Sequence, residues 1–201
     1  PLSKRQEENE EEMVENSGIQ KLLANCNTTT KPCSHASDLT QLGYALKVAP
    51  TLTEVFSDNE MLLERVDEQT IMVFIDLIKN TGREARYVDF LVTLCRANGK
   101  AVRPNQWKVC DLLVKARPEL LVPLSLETVG GREVVMVRGD KRYFPKLAEP
   151  MPLCQWLDTT DKVLKEYFER VLFLYGLLVA GRNLKNTPVV RELLPYPLLL
   201  H

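Results

Sequence analysis

The sequence lacks a dominant charge: 26 Lys and Arg stand against 27 Asp and Glu, a formal net charge of −1. A surface of that balance has no long-range attraction for nucleic acid or an anionic membrane, so neither is an expected partner. Long apolar runs are missing too. Nothing reaches the roughly 18 uncharged apolar residues that a membrane-crossing helix requires, so no direct insertion into a membrane is expected, and the first dozen residues are too charged to be the apolar stretch of a signal peptide. Histidine is scarce, with His35 in a polar stretch and His201 at the last position. A Ser/His/Asp or Cys/His device would have to rest on one of these two. The glycines stand singly or as Gly130-Gly131, with no Gly-rich phosphate loop ending in Gly-Lys-Ser or Gly-Lys-Thr. Paired acids such as Glu10-Glu11-Glu12 lie in an unbroken charge run, not in an apolar setting that would raise a carboxyl pKa. Catalysis and a bound cofactor are therefore not expected.

Cysteine pairing is also absent. The five cysteines, Cys26, Cys33, Cys95, Cys110 and Cys154, are scattered and odd in number, with no CxxC spacing of the redox or zinc kind. They read as reduced thiols in a reducing compartment. Cys95 and Cys110 fall within apolar helical patterns and should be buried, since a free cysteine packs as a small hydrophobe. Cys26, Cys33 and His35 lack a fourth ligand at zinc spacing, so no metal is expected. Asn27-Thr28-Thr29 has the form of a glycosylation acceptor, which matters only in a secreted chain.

What is present is helical periodicity. The run from Glu7 to Glu12 reads as a solvated helix end. Val14, Ile19, Leu22 and Leu23 suggest two short helices around Asn16-Ser17-Gly18, and residues 25–38 read as a loop. From residue 39 the signal strengthens. Met61, Leu62, Leu63 and Val66 share one side, and Asp67 is placed as the N-cap of a helix carrying Ile71, Met72, Phe74, Ile75 and Ile78, closed at Asn80-Thr81-Gly82. The next helix, from about Arg83, buries Tyr87, Val88, Leu91, Leu94 and Cys95 and stops at Asn98-Gly99. Pro104 suits the first turn of another, with Trp107, Cys110 and Val114, broken before Pro118. Val134 to Val137 and Tyr143-Phe144 are β-formers around a candidate turn at residues 138–141, where Arg138-Gly139-Asp140 reads as turn chemistry and not as an adhesion motif. Asp158 and Asp161 open a long helix striped by Leu164, Tyr167, Phe168, Val171, Leu174, Tyr175 and Leu178.

Short amphipathic helices with narrow apolar faces must stack to bury them. The expected fold is therefore all-α, an armadillo-like α-solenoid with one small β-hairpin near residues 133–144, with a helical bundle as the competing arrangement. The expected divisions are a partial helical unit and loop over 1–38, helical repeats over 39–126, a hairpin and Pro-rich connection over 127–157, and further solenoid helices over 158–201. The opening at Pro1 and the apolar ending Pro197-Leu198-Leu199-Leu200-His201 suggest a piece of a longer structure.

Four stretches carry a resemblance: Met61-Leu62-Leu63-Glu64-Arg65-Val66, Phe74-Ile75-Asp76-Leu77-Ile78, Arg86-Tyr87-Val88-Asp89-Phe90-Leu91-Val92-Thr93-Leu94-Cys95 and Ala101-Val102-Arg103-Pro104-Asn105-Gln106. Together, across about Met61 to Leu121, the pattern resembles the homology region shared by inositol trisphosphate receptors and ryanodine receptors, with the inositol trisphosphate receptor branch the closer. The resemblance implies a segment of a tetrameric calcium-release channel at the cytoplasmic face of the endoplasmic reticulum. Its partners would be neighbouring domains and subunits of that channel, and its role would be to carry ligand-driven movement towards the pore. In that family the inositol phosphate is held mainly by upstream regions. Lys4 and Arg5 are the residues here that could end such a basic pocket, although the acids from Glu7 disfavour a trisphosphate beside them. The loop over residues 25–38 and the short Gly130-Gly131 linker depart from the family pattern. The stripe Tyr167, Val171, Tyr175 and Leu178 is the candidate for packing against a neighbouring domain, and should be partly bare in isolation. A free-standing armadillo-type adaptor is the other reading, and an exposed Asn or Trp ladder would mark it.

Overall fold

In a computed structural model the chain is described at residues 49–140, 142, 144, 147 and 149–194. It divides into two units, Pro1–Thr51 and Leu52–His201. The second unit begins with helical residues 52–56, which lead to α1, Glu60–Glu64, capped by Asn59, whose side chain accepts from Leu62 N–H at 3.1 Å. Asp67 then caps α2, Glu68–Asn80, as the sequence predicts: its Oδ1 accepts from Thr70 N–H at 2.7 Å, satisfying one of the orphan donors of the first turn. α3 spans Ala85–Leu94. Asn98 and Gly99 end that helical segment, and they also turn a minimal hairpin, β1 Arg96–Ala97 with β2 Lys100–Ala101, because both hold positive φ (49° and 74°). α4, Arg103–Val109, starts on Pro104 and runs on into a π-helical turn, Cys110–Lys115, before a 3-10 turn at Pro118–Leu120.

The aromatic core of this half joins Phe74 stacked on Phe90 at 3.8 Å with Phe56 edge-on to Phe90 at 5.6 Å. Ile71, Ile75, Ile78, Tyr87, Val88, Leu91, Leu94, Cys95, Cys110 and Leu113 are completely buried around it. The helical faces read from periodicity are thus the ones that pack.

The all-α expectation is overturned. Helices predominate, but the described residues also carry two antiparallel sheets, of two and three strands, so the fold is mixed. The larger hairpin also lies elsewhere than expected near residues 133–144. β3, Leu124–Val129, pairs with β4, Arg132–Val137, in register from Leu124 opposite Val137 to Val129 opposite Arg132, and β5, Met151–Pro152, adds to the edge of β4. The turn is Gly130-Gly131, at φ 59° and 78°. A two-residue turn of the kind that matches strand twist needs positive φ at both positions, which glycine adopts without steric cost and Arg138-Gly139 does not supply.

A second apolar cluster lies beneath this sheet. Val122, Val137, Phe144, Leu147, Trp156 and Phe168 join the strands to α5, Leu153–Thr159, and α6, Lys162–Val179, with Trp156 edge-on to Phe168 at 5.1 Å. Asp161 caps α6 by accepting from Leu164 N–H at 2.9 Å. A tight turn then leads to α7, Thr187–Leu193. No helix among the described residues is long and apolar enough to cross a membrane.

Candidate functional site: a buried amide lattice

A helix leaves its last four carbonyls without intrahelical donors, and each must find one if it is buried. Here three helices end against α4, and its Asn105 and Gln106 supply those donors. Asn105, 1% exposed, gives its Nδ2 to Leu63 O of α1 at 2.7 Å and to Leu94 O of α3 at 3.1 Å. Gln106, completely buried, gives its Nε2 to Leu177 O of α6 at 2.7 Å and more distantly to Ala180 O at 3.4 Å. Neighbours in sequence, the two side chains reach different partners: one the ends of the early helices, the other the end of the late one.

The turn after α6 returns the contact. Asn183 Nδ2 donates to Gln106 Oε1 at 2.8 Å, and Asn183 Oδ1 accepts from Trp107 Nε1 at 3.0 Å. Asn186 Nδ2 bridges Gln106 O at 3.0 Å and Leu178 O at 3.1 Å. Arg103 donates to Gly181 O at 2.8 Å, and Lys108 Nζ to Val66 O. Away from water, amide hydrogen bonds of this kind are stronger than in solvent, and here they tie the elements they join, although Asn105 Oδ1 and Asn186 Oδ1 accept from no group among the described residues. Beside the lattice, Tyr167 O–H donates to Leu120 O at 2.8 Å, tying the 3-10 turn to α6. Arg170 of α6 pairs with Asp89 of α3 at 2.7 Å, yet burial raises the Asp89 carboxyl more than the guanidinium lowers it.

Among the described residues, the groups of this arrangement are hydrogen-bonding amides and carbonyls. Burial pushes the Cys95 and Cys110 thiols upward, away from the thiolate form a nucleophile needs. It does the same to the Tyr167 and Tyr175 phenols. Among the described residues no group of three or more His, Cys, Asp or Glu is placed to hold a metal ion.

The sequence-derived candidates fall differently. Lys4 and Arg5 lie outside the described residues, as do Cys26, Cys33, His35 and Asn27. Tyr167, Val171, Tyr175 and Leu178 are 0%, 2%, 4% and 0% exposed within the chain itself, so the bare stripe expected of an isolated segment is not there. Its cover comes from earlier in the same chain, where α3 packs along α6 and α4 joins its end. The apolar side chains that α6 does expose are Val163 and Phe173. Sequence reasoning misses Asn183 and Asn186, because asparagine between helices reads as turn chemistry. The sequence signal for them is a cluster of amides just after a long apolar helix.

Comparison with known sequences agrees with the stretches around α1 to α4. The RIH domain family matches residues 4–126. The inositol 1,4,5-trisphosphate receptor-like protein A of Dictyostelium discoideum is 29% identical over 147 residues, which is 70% of this chain and 4% of that protein. The inositol 1,4,5-trisphosphate receptor itr-1 of Caenorhabditis elegans is 30% identical over 78 residues, 38% of this chain and 3% of that receptor. The chain therefore spans a small fraction of the length of these relatives. With most of its length matched, the chain belongs to the RIH domain family, the homology region of the inositol trisphosphate and ryanodine receptors.

Proposed function

We propose that the chain is a segment of a ligand-gated intracellular calcium-release channel, in which it carries ligand-driven movement towards the pore as one stiff body. The observation that supports this most is the lattice around Gln106, which binds the ends of α1, α3 and α6 to a single short helix. Close-packed interiors held by directional bonds shift as units and do not absorb displacement, so a tilt applied at one end reappears at the other. On this reading the inositol phosphate is held chiefly by other regions of the channel, and neighbouring domains and subunits are the working partners. Those neighbours would meet the exposed groups, such as Phe173 and Leu184, and not the buried stripe of α6. The setting is the cytoplasmic face of the endoplasmic reticulum membrane.

The test is to place Gln106→Ala in the full-length receptor that carries this segment, then measure ligand affinity and calcium release separately. The relay predicts unchanged affinity with reduced release at saturating ligand. Unchanged release from a variant whose lattice is demonstrably loosened contradicts it.

A further inference from the structure

Beside the lattice, the β1–β2 hairpin and the turn after α6 enclose a groove of about 330 Å³. Its lining includes Arg96, Lys100 and Arg103, and no carboxylate. The walls are fixed: at Gly181, φ 70°, a Cβ would stand 2.9 Å from Ala101 Cβ, so hairpin and turn meet as closely as backbone allows. Arg103 is held by its bond to Gly181 O at 2.8 Å, which uses one of its five N–H donors. Asp58 and Glu60 accept from Asn98 N at 2.6 Å and Asn98 Nδ2 at 3.2 Å, holding the hairpin tip, and neither lines the groove.

Some surface cations of this chain are neutralised locally, as in Arg138 with Glu127 at 2.6 Å, Lys115 with Asp111 at 2.6 Å and Arg170 with Asp89 at 2.7 Å. Among the described residues, none of Arg96, Lys100 and Arg103 is paired with a carboxylate. In a chain of nearly balanced charge, three cationic residues bordering one concavity raise the positive potential there. We propose that this groove binds a small free anion of the phosphate class carrying more than one negative charge. The planar forks of Arg96 and Arg103 match phosphate oxygens two at a time, and Lys100 adds a point charge. A monocarboxylate would offset only one of the three cations. The volume is at the small end of ligand sites, which suits a compact anion and leaves little room for an extended chain.

Inorganic pyrophosphate is the probe, titrated calorimetrically into the whole chain, with potassium chloride of matched ionic strength as the control. Saturable binding is expected, together with amide shifts at Gly99 and Gly181 in NMR spectra. The double variant Arg96→Gln, Lys100→Gln, which spares the lattice residue Arg103, should bind about tenfold more weakly or worse, with an unchanged melting temperature in the absence of probe. No binding beyond the chloride control overturns the site, and so does undiminished binding by a folded double variant. A phosphoserine peptide that binds more tightly than pyrophosphate contradicts the assignment to a small free anion.

Discussion

Asn183 and Gln106, 77 positions apart in sequence, are joined by a buried hydrogen bond in which Asn183 Nδ2 donates to Gln106 Oε1 at 2.8 Å. Because Gln106 also satisfies Leu177 O, one side chain closes the distance between the middle of the chain and its later helices. Gln106→Ala leaves a buried donor and a buried carbonyl without partners, at about 1–3 kcal/mol each. We expect a loss of about 3 kcal/mol in urea unfolding. In a double-mutant cycle with Asn183→Ala, the coupling should be about 1–2 kcal/mol. Additive losses would mean that the two amides act independently.

Leu91 and Leu94 are both completely buried in α3. Leu91→Ala removes packed methyl groups where the surrounding helices cannot collapse fully, and should cost about 2–5 kcal/mol. An unchanged thermal midpoint would contradict that packing of α3.

Asp67 predicts a pH dependence. The Thr70 side chain, helped by the Thr70 N–H and by Lys108 nearby, holds its carboxyl below the ordinary value against the opposing effect of burial. A depressed folded pKa gives stability that is present above the unfolded value, about 3.9, and is lost as pH falls through the folded one. Asp67→Ala should therefore cost about 1 kcal/mol at neutral pH, and the gap between variant and parent should close in acid below about pH 4. A gap that stays constant down to strong acid would show that the charged cap contributes nothing.

The Gly130-Gly131 turn can be tested by contrast. Gly131→Val places a β-branched residue at φ 78° and should weaken the β3–β4 hairpin by about 1–2 kcal/mol. Gly130→Asn, at φ 59°, should be tolerated, since asparagine visits that region. Equal stability of the two variants would contradict the assigned turn.

How much of the fold was legible in the sequence depends on which signals are local. Asp67 before an apolar helical run, Asn98-Gly99 as a stop and Pro104 as a start each depend on a few adjacent residues, and each stands where the pattern puts it. The β-propensity of Val134 to Val137 was also readable, but its partner strand was not. Leu124 to Glu127 alternates apolar and polar residues and Gly130-Gly131 is a hairpin signal, yet the Arg138-Gly139-Asp140 turn competed for the same strand. The α6 stripe reads as a face for a neighbouring domain, but periodicity does not say which element covers a stripe, and here α3 does so from within the chain. The lattice was the least readable feature. Asn105 and Gln106 were visible as residues of a matching stretch, whereas their role depends on carbonyls of helices that meet only in three dimensions.

The claim that α4 joins the early and late helices into one body is tested most directly by native-state hydrogen exchange on Gln106→Ala. Gln106 touches only the later side of the lattice through its side chain, so the informative amides are those at the far ends, around Leu63 and Leu94. If the helices move as one unit, protection falls there as well as at residues 177–187, while the β3–β4 hairpin keeps its protection. Loss confined to residues 177–187 would show two independent halves and contradict the single stiff body.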